Sequence, residues 1–130
     1  MRVSKEIYSK LLNNSIDYKQ SKYKNKKVVY NGIKFDSQKE RNYYIKLKLL
    51  EDAGKIKDLK LQVKYELQPK FKSGNKNIQA ISYIADFTYL DEENKLHIVD
   101  VKSEATKKDK VYRLKKKLFQ YRYALNIEEV

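Results

Sequence analysis

The sequence predicts an α/β fold in which a mixed β-sheet is flanked by helices. One observation is an Asn-Gly pair between two triplets rich in strand-forming residues, and a second is a segment in which apolar and polar residues alternate strictly. The third is a pair of segments whose apolar residues recur at helical spacing. At 130 residues the chain is long enough for one hydrophobic core and too short for two.

The first 27 residues differ in composition from the rest. Residues 1–17 place Ile7, Leu11 and Leu12 at spacings that predict a short helix. Residues 18–27 contain five lysines and no aliphatic residue, which predicts a flexible basic arm. We therefore divide the chain into an N-terminal helix and arm (1–27) and one globular domain (28–130).

The globular part begins with a hairpin and a helix. In VVYNGIKF, both Asn31 and Gly32 tolerate the positive φ of a type I′ turn. Asp36 or Ser37 then caps a helix that runs to about Ala53 and is closed by Gly54.

The remaining elements follow from pattern. Residues 59–67 alternate, with leucine, valine and tyrosine on one face and polar residues on the other, as expected of a half-buried strand. Residues 68–77 predict a loop or a protruding hairpin around Ser73-Gly74-Asn75, and two strands follow, ISYIADFTYL and KLHIVDVKS. A second helix over 107–124 and a last strand around Ile127 to Val130 complete the order. The core-facing stripe predicted for that helix is Val111, Leu114, Leu118, Tyr121 and Leu125.

Composition restricts the function classes. Thirty Lys and Arg residues against seventeen Asp and Glu leave a formal net charge of +13, which favours a polyanionic partner such as DNA. The chain has no cysteine, which excludes a thiolate zinc site. It has one histidine, His97, which excludes a multi-histidine zinc site and which we interpret as structural. Any metal is then an oxygen-preferring ion such as Mg²⁺ or Mn²⁺. We expect no membrane partner, no small-molecule organic cofactor and a cytoplasmic protein.

Two acidic residues interrupt apolar strands. Asp100 and Lys102 are two positions apart, so their side chains leave one face of a strand. A structural salt bridge is the alternative interpretation. Asp86 lies in the preceding strand, and a connecting loop of odd length, or a bulge, would bring it within about 5 Å of Asp100. Two carboxylates at that distance can share a metal ion.

Glu40 supplies a candidate third carboxylate. Ser37-x-x-Glu40 fits a capping box, in which Glu40 returns to the helix N-terminus. Glu40 also shares a helical stripe with Leu47 and Leu50, which predicts that it points inward. The two roles can coexist.

These residue types suit phosphodiester hydrolysis. The reaction needs a nucleophilic water, neutralisation of the charge that builds on phosphate oxygens, and help for the leaving 3′ oxygen. One or two Mg²⁺ ions on a carboxylate cluster meet these needs, and a neighbouring lysine orients or deprotonates the water or stabilises the transition state. We therefore expect Glu40, Asp86, Asp100 and Lys102 to be catalytic, with the three acids as metal ligands.

The segments GIKFDSQKE, YIADF and IVDVKS together resemble the PD-(D/E)xK nuclease superfamily. The acid-x-Lys element is Asp100-Val101-Lys102, the upstream acid is Asp86 and the helical acid is Glu40. The sequence departs from the motif at Ala85, where proline is usual, and at Asp100, where glutamate is commoner.

From about Tyr23 to Val130 the chain is similar to small phage-encoded endonucleases related to Holliday-junction resolvases. The resemblance implies a restriction-endonuclease-like core and Mg²⁺- or Mn²⁺-dependent cleavage of branched or four-way DNA by a homodimer, in phage recombination or replication. A nicking or flap nuclease of the same family is one alternative. A nucleic-acid-binding or regulatory protein without catalysis is the other.

Basic residues cluster after the acid-x-Lys element. In a chain of this charge we expect them to contact DNA phosphates, so that DNA is recognised by shape and backbone. The DNA-binding candidates are Lys107, Lys108, Lys110, Arg113, Lys116, Lys117 and Gln120. Tyr18, Tyr23 or Tyr112 could stack on unpaired bases. The lysines of 68–78 indicate a surface loop, with projection into a junction or a dimer interface as alternatives.

Overall fold

A computed structural model describes residues 27–130 of the chain, so the predicted helix over 1–17 and nearly all of the basic arm over 18–27 lie outside the described residues. The described residues form two compact units, one of residues 27–59 and 90–95 and the other of residues 60–89 and 96–130. The predicted α/β class is confirmed, and the main sheet is mixed. No helix within residues 27–130 is long and apolar enough to cross a membrane.

The first unit begins with the predicted hairpin. Strands β1 (Val28–Tyr30) and β2 (Ile33–Phe35) pair antiparallel around Asn31 and Gly32, whose φ angles are 50° and 75°. Because both turn residues have positive φ, the two strands twist as a hairpin requires.

Helix α1 (Gln38–Asp52) follows the hairpin and packs against it. Ser37 is the N-cap, and its Oγ accepts a hydrogen bond from the Glu40 N–H at 3.1 Å. After the cap at Ala53, Gly54 adopts a φ of 76° and ends the helix as predicted. The ring of Tyr44 lies 5.2 Å from that of Phe35 in β2, so aromatic burial holds helix and hairpin together.

The second unit contains a four-stranded sheet in the order β3-β6-β7-β8. Strands β7 and β8 are parallel, whereas residues 91–95 join β6 to β7 by a turn too short for a parallel crossover, so the sheet is mixed. The alternation predicted for β3 is confirmed, because its apolar side chains are buried or half-buried and the intervening ones are exposed. The strands are β3 (Lys57–Gln68), β6 (Ile81–Leu90), β7 (Leu96–Asp100) and β8 (Ile127–Glu129).

A small antiparallel hairpin is inserted between β3 and β6. Its strands are β4 (Phe71–Ser73) and β5 (Lys76–Ile78), and Gly74 in the connecting turn has a φ of 60°. Of the two structures predicted for this segment, a loop and a protruding hairpin, the structure has the hairpin.

The segment after β7 forms two helices, not the single helix predicted over 107–124. Ser103 caps the short helix α2 (Glu104–Lys107), and Asp109 caps α3 (Lys110–Tyr123) by accepting from the Tyr112 N–H at 2.9 Å. Two successive caps explain the interruption, because each satisfies N–H groups that a new helix leaves without an intrahelical acceptor.

The predicted core-facing stripe is confirmed for Leu125, which packs against the core just beyond the end of α3, and is wrong for its other four residues. Val111, Leu114, Leu118 and Tyr121 are 62%, 58%, 38% and 90% exposed. The buried residue is Phe119, whose ring lies 5.0 Å from that of Tyr65 and 5.2 Å from that of Tyr83. Packing between aromatic rings therefore determines which face of α3 meets the sheet. The buried core of this unit consists of Leu67, Tyr83, Ala85, Ile98, Phe119 and Ile127.

Candidate active site

Strands β6 and β7 bring two aspartates together. The turn between them, residues 91–95, has the odd length that the sequence predicted. Asp86 Oδ2 accepts a hydrogen bond from the N–H of Val101, the residue next to Asp100, and the Asp86 carboxyl group is near enough to raise the pKa of Asp100. The two acids therefore come together in the second unit.

Asp100 is the buried member of the pair, with 1% of its surface exposed. The Tyr83 hydroxyl donates to its Oδ2 at 2.8 Å. Burial, followed by the neighbouring carboxyl group of Asp86, raises the pKa of Asp100 to about 7, against the opposing effects of Lys102 and Tyr83. Burial also raises the pKa of the Tyr83 hydroxyl, which therefore remains a donor.

Asp86 is half-buried and is held from two sides. The Val101 N–H donates to its Oδ2 at 2.9 Å, and the amide of Gln62 donates to its Oδ1 at 3.3 Å. Gln62 has a φ of 52°, an uncommon value within a strand for a residue other than glycine. Sequence reasoning missed Gln62, because nothing in a regular alternation signals a local departure of the backbone.

Lys102 places its ammonium group beside Asp100. Its Nζ lies 3.5 Å from Asp100 Oδ2 and 4.4 Å from the centre of the Tyr112 ring. Its backbone N–H donates to the Val130 carbonyl at 3.0 Å, and the Val130 N–H donates to the Asp100 carbonyl at 2.9 Å. The C-terminal residues thereby hold the backbone on which Asp100 and Lys102 lie.

Tyr112 belongs to a network that sequence reasoning did not find. Its hydroxyl donates to Glu129 Oε2 at 2.7 Å, and Lys116 Nζ donates to Glu129 Oε1 at 3.0 Å. The Tyr112 hydrogen bond, followed by that of Lys116, lowers the pKa of Glu129. The Tyr112 ring faces Lys102, which gives this tyrosine a role within the protein beside the base stacking predicted for it. The signal was its spacing to Phe119, two helical turns later.

Glu40 lies in the first unit, on α1. It is 5% exposed, so the prediction that it points inward is confirmed, and its N–H binds the N-cap Ser37. The next residue, Arg41, is fully buried, and its Nε and one terminal nitrogen donate to Asn42 Oδ1 at 3.0 and 2.7 Å. Arg41 was missed, although it precedes the buried Ile45 by one helical turn.

The basic candidates differ in their surroundings. Lys108, Lys110, Arg113 and Lys117 are exposed, and Gln120 is half-buried. Lys107 lies 3.4 Å from Glu104, and Lys116 is bound to Glu129. Lys116 therefore differs from the exposed members, because its ammonium already has a carboxylate partner.

The acidic pair fits a hard divalent cation. Within residues 27–130 no three carboxylate or imidazole groups form a cluster suited to a metal ion. Mg²⁺, however, is commonly held by one or two carboxylates together with water and substrate phosphate. The charged form of Asp100 is destabilised by burial beside a second carboxyl group. A divalent cation would offset that repulsion, so Asp86 and Asp100 provide a donor set suited to Mg²⁺ or Mn²⁺.

Comparison with known proteins gives one match. No curated protein and no solved structure matches the chain. One family model matches residues 20–128, and the chain therefore belongs to the family described as "Protein of unknown function (DUF1064)".

Proposed function

We propose that the protein is a metal-dependent, structure-selective DNA endonuclease of the PD-(D/E)xK type. The observation that carries the proposal is the meeting of Asp86 and Asp100 with the Lys102 ammonium 3.5 Å from Asp100 Oδ2. A purely structural salt bridge needs one carboxylate for one ammonium. Here a second carboxyl group is held against the first, which costs stability unless a ligand uses both.

In the proposed reaction a water attacks the phosphorus, the P–O3′ bond breaks and the 3′ oxygen leaves. Lys102 orients the attacking water, accepts its proton or stabilises the charge on the phosphate oxygens. Asp100 is fixed by Tyr83, and Asp86 by Gln62 and the Val101 N–H. These fixed carboxylates need little rearrangement when substrate arrives.

Asp86 and Asp100 would hold Mg²⁺ or Mn²⁺, and the ligand role of Glu40, which lies in the first unit, stays a prediction. Such a cation supplies Lewis-acid polarisation of the phosphate and lowers the pKa of a bound water.

The proposed substrate is branched DNA, and the four-way junction is the form that we propose first. The charge of +13 and the exposed lysines and arginine that follow Lys102 in the sequence support phosphate binding without base reading. We propose a homodimer, because a two-fold pair of sites suits paired nicks across a junction. The exposed stripe Val111, Leu114, Leu118 and Tyr121 has the spacing of a helix-pairing seam and supports this assembly. The proposed location is the cytoplasm, that of the host bacterium if the chain is phage-encoded.

The test is single-turnover cleavage of four-way, flap, nicked and linear DNA with Mg²⁺ or Mn²⁺. Asp100→Asn is expected to fold and bind DNA but to cleave at least roughly 100-fold more slowly, the scale of one lost transition-state interaction. Glu93→Gln, which removes an exposed carboxylate, is the control and should cleave as the wild type does. Preference for the flap or the nicked duplex would indicate the related nuclease. An Asp100→Asn variant as active as wild type would exclude catalysis at this site.

A further inference from the structure

The β4–β5 hairpin exposes an aromatic side chain in basic surroundings. Phe71 is 48% exposed and is paired across the strands with Ile78. Residues 70–79 include Lys70, Lys72 and Lys76 and no acidic residue. A half-exposed ring with three lysines and no acidic residue in its hairpin offers an apolar face beside positive charge, which complements a ligand that has both an apolar face and negative charge.

A cavity of about 520 Å³ adjoins this ring. Its lining combines one aromatic ring, one aliphatic side chain, two ammonium groups and two carboxamides. The lining residues are Lys70, Phe71, Lys72, Asn77, Ile78 and Gln79. The volume lies in the range of pockets that hold small ligands, and the lining exposes polar and apolar surface in nearly equal amounts.

This combination of groups matches a nucleotide whose base is unpaired. An aromatic ring stacks on the face of any base. Ammonium groups bind the neighbouring phosphates. A base inside an intact duplex presents neither face, so this set of groups discriminates in favour of DNA that is locally unpaired.

We propose that the β4–β5 hairpin binds an unpaired nucleobase of the DNA, with Phe71 stacked on the base. The lysines hold the flanking phosphates: Lys72 lies opposite Asn77 on the face of the hairpin away from Phe71, and Lys70 lies next to Phe71 in the chain. The inference rests on the proposed function in that DNA is the substrate. It adds a physical means by which branched DNA is distinguished from linear duplex.

The test uses fluorescence of 2-aminopurine, which falls when the base stacks on an aromatic ring. The probe is placed unpaired at the branch of a junction and, as a comparison, paired within a linear duplex. Binding is measured with Asp100→Asn protein, and with wild type in EDTA, so that no strand is cut. The unpaired probe is expected to be quenched by protein, and the paired probe is expected to be unchanged.

Phe71→Ala is expected to weaken binding of the unpaired probe roughly 10-fold and to abolish the quenching, while duplex affinity changes little. Phe71→Leu, similar in size but lacking the ring, should behave like the alanine variant, and Phe71→Tyr should retain binding. Val29→Ala truncates an apolar side chain that is 64% exposed on the other hairpin and serves as the control.

Three results would overturn the inference. The first is an equal loss of affinity for the junction and for the linear duplex in Phe71→Ala, which would mean that the hairpin attracts DNA only by its charge. The second is no loss in either Phe71 variant. The third is a loss that follows a fall in oligomeric mass, which would make the hairpin a protein interface. Quenching by a protein that cuts no DNA would contradict the nuclease proposal alone, whereas normal cleavage and binding by Phe71→Ala would contradict this inference alone.

Discussion

At the scale of single residues, Asp100 combines features that do not favour stability alone. It is almost fully buried, it lies against a second carboxyl group, and its pKa is raised to about 7. One ammonium, that of Lys102, partly compensates. Such unfavourable electrostatics are common where a site is organised for a ligand that supplies the missing charge.

This arrangement predicts how stability depends on pH in metal-free protein. Because the pKa of Asp100 is higher in the folded than in the unfolded state, its contribution to folding is fully present below pH 4 and is lost as pH rises through about 7. In Asp100→Asn the new side chain has nearly the shape of aspartate but cannot ionise. We expect it to be more stable than wild type by about 2 kcal/mol at pH 8, and to lose that advantage at pH 4.

Urea unfolding at the two pH values measures this difference, with Glu93→Gln as the control for removal of a negative charge. A variant that is less stable than wild type by the same amount at both pH values would mean that Asp100 is a structural carboxylate.

Saturating Mg²⁺ should stabilise wild type at pH 8 and leave Asp100→Asn much less affected.

We propose that the Tyr112 ring positions the Lys102 ammonium. Tyr112→Phe keeps the ring beneath the ammonium and is expected to retain the cleavage rate within about 3-fold, whereas Tyr112→Leu should lower it roughly 10-fold. Substrate affinity should change little in either variant, because the effect is on the orientation of Lys102. Single-turnover rates and DNA affinities measured separately would show this split. Equal rate losses in both variants would assign the effect to the Glu129 hydrogen bond instead.

At the scale of elements, the strands and α1 could be predicted because their signals are local. The Asn31-Gly32 turn, the Ser37 cap and the alternation of β3 each lie within a few residues. The facing of α3 could not be predicted, because this helix carries two stripes at helical spacing. The aromatic one, which includes Tyr112, Phe119 and Tyr123, packs in or against the core, whereas the aliphatic one is exposed.

In the candidate site too, the contacts that depend on local signals could be predicted and the others could not. Asp86, Asp100 and Lys102 share a pattern of charges within apolar strands, and strand pairing brings them together. Gln62 approaches Asp86 only because its φ is 52°, and Tyr83 reaches Asp100 through the hydroxyl of a core ring. Neither contact follows from residue type and spacing.

The exposed stripe of α3 predicts the oligomeric state. Replacing Leu114, which is 58% exposed, by glutamate should leave the fold intact and place charge in the proposed helix pair. Light scattering during gel filtration is expected to give twice 15.6 kDa for wild type and 15.6 kDa for Leu114→Glu. Leu114→Met should remain dimeric. A monomeric wild type, or a dimeric glutamate variant, would locate no interface on this stripe.

At the scale of the whole molecule, a charge of +13 predicts DNA affinity that falls steeply with salt. Lys117→Gln is expected to lower the slope of log K against log salt by about 1, as one phosphate contact does. Lys116→Gln should lower it less, because Glu129 already binds that ammonium. Equal reductions in the two variants would show that the Glu129 pair opens when DNA binds.

We propose that Asp86, Asp100 and Lys102 together support hydrolysis of a DNA strand with a divalent cation. The most direct measurement is strand scission of a synthetic four-way junction by the purified full chain, with and without Mg²⁺ or Mn²⁺. We expect paired cuts that appear with the metal, disappear with EDTA and are lost in Asp100→Asn. Folded wild-type protein that binds the junction with either metal and leaves every strand intact would contradict it.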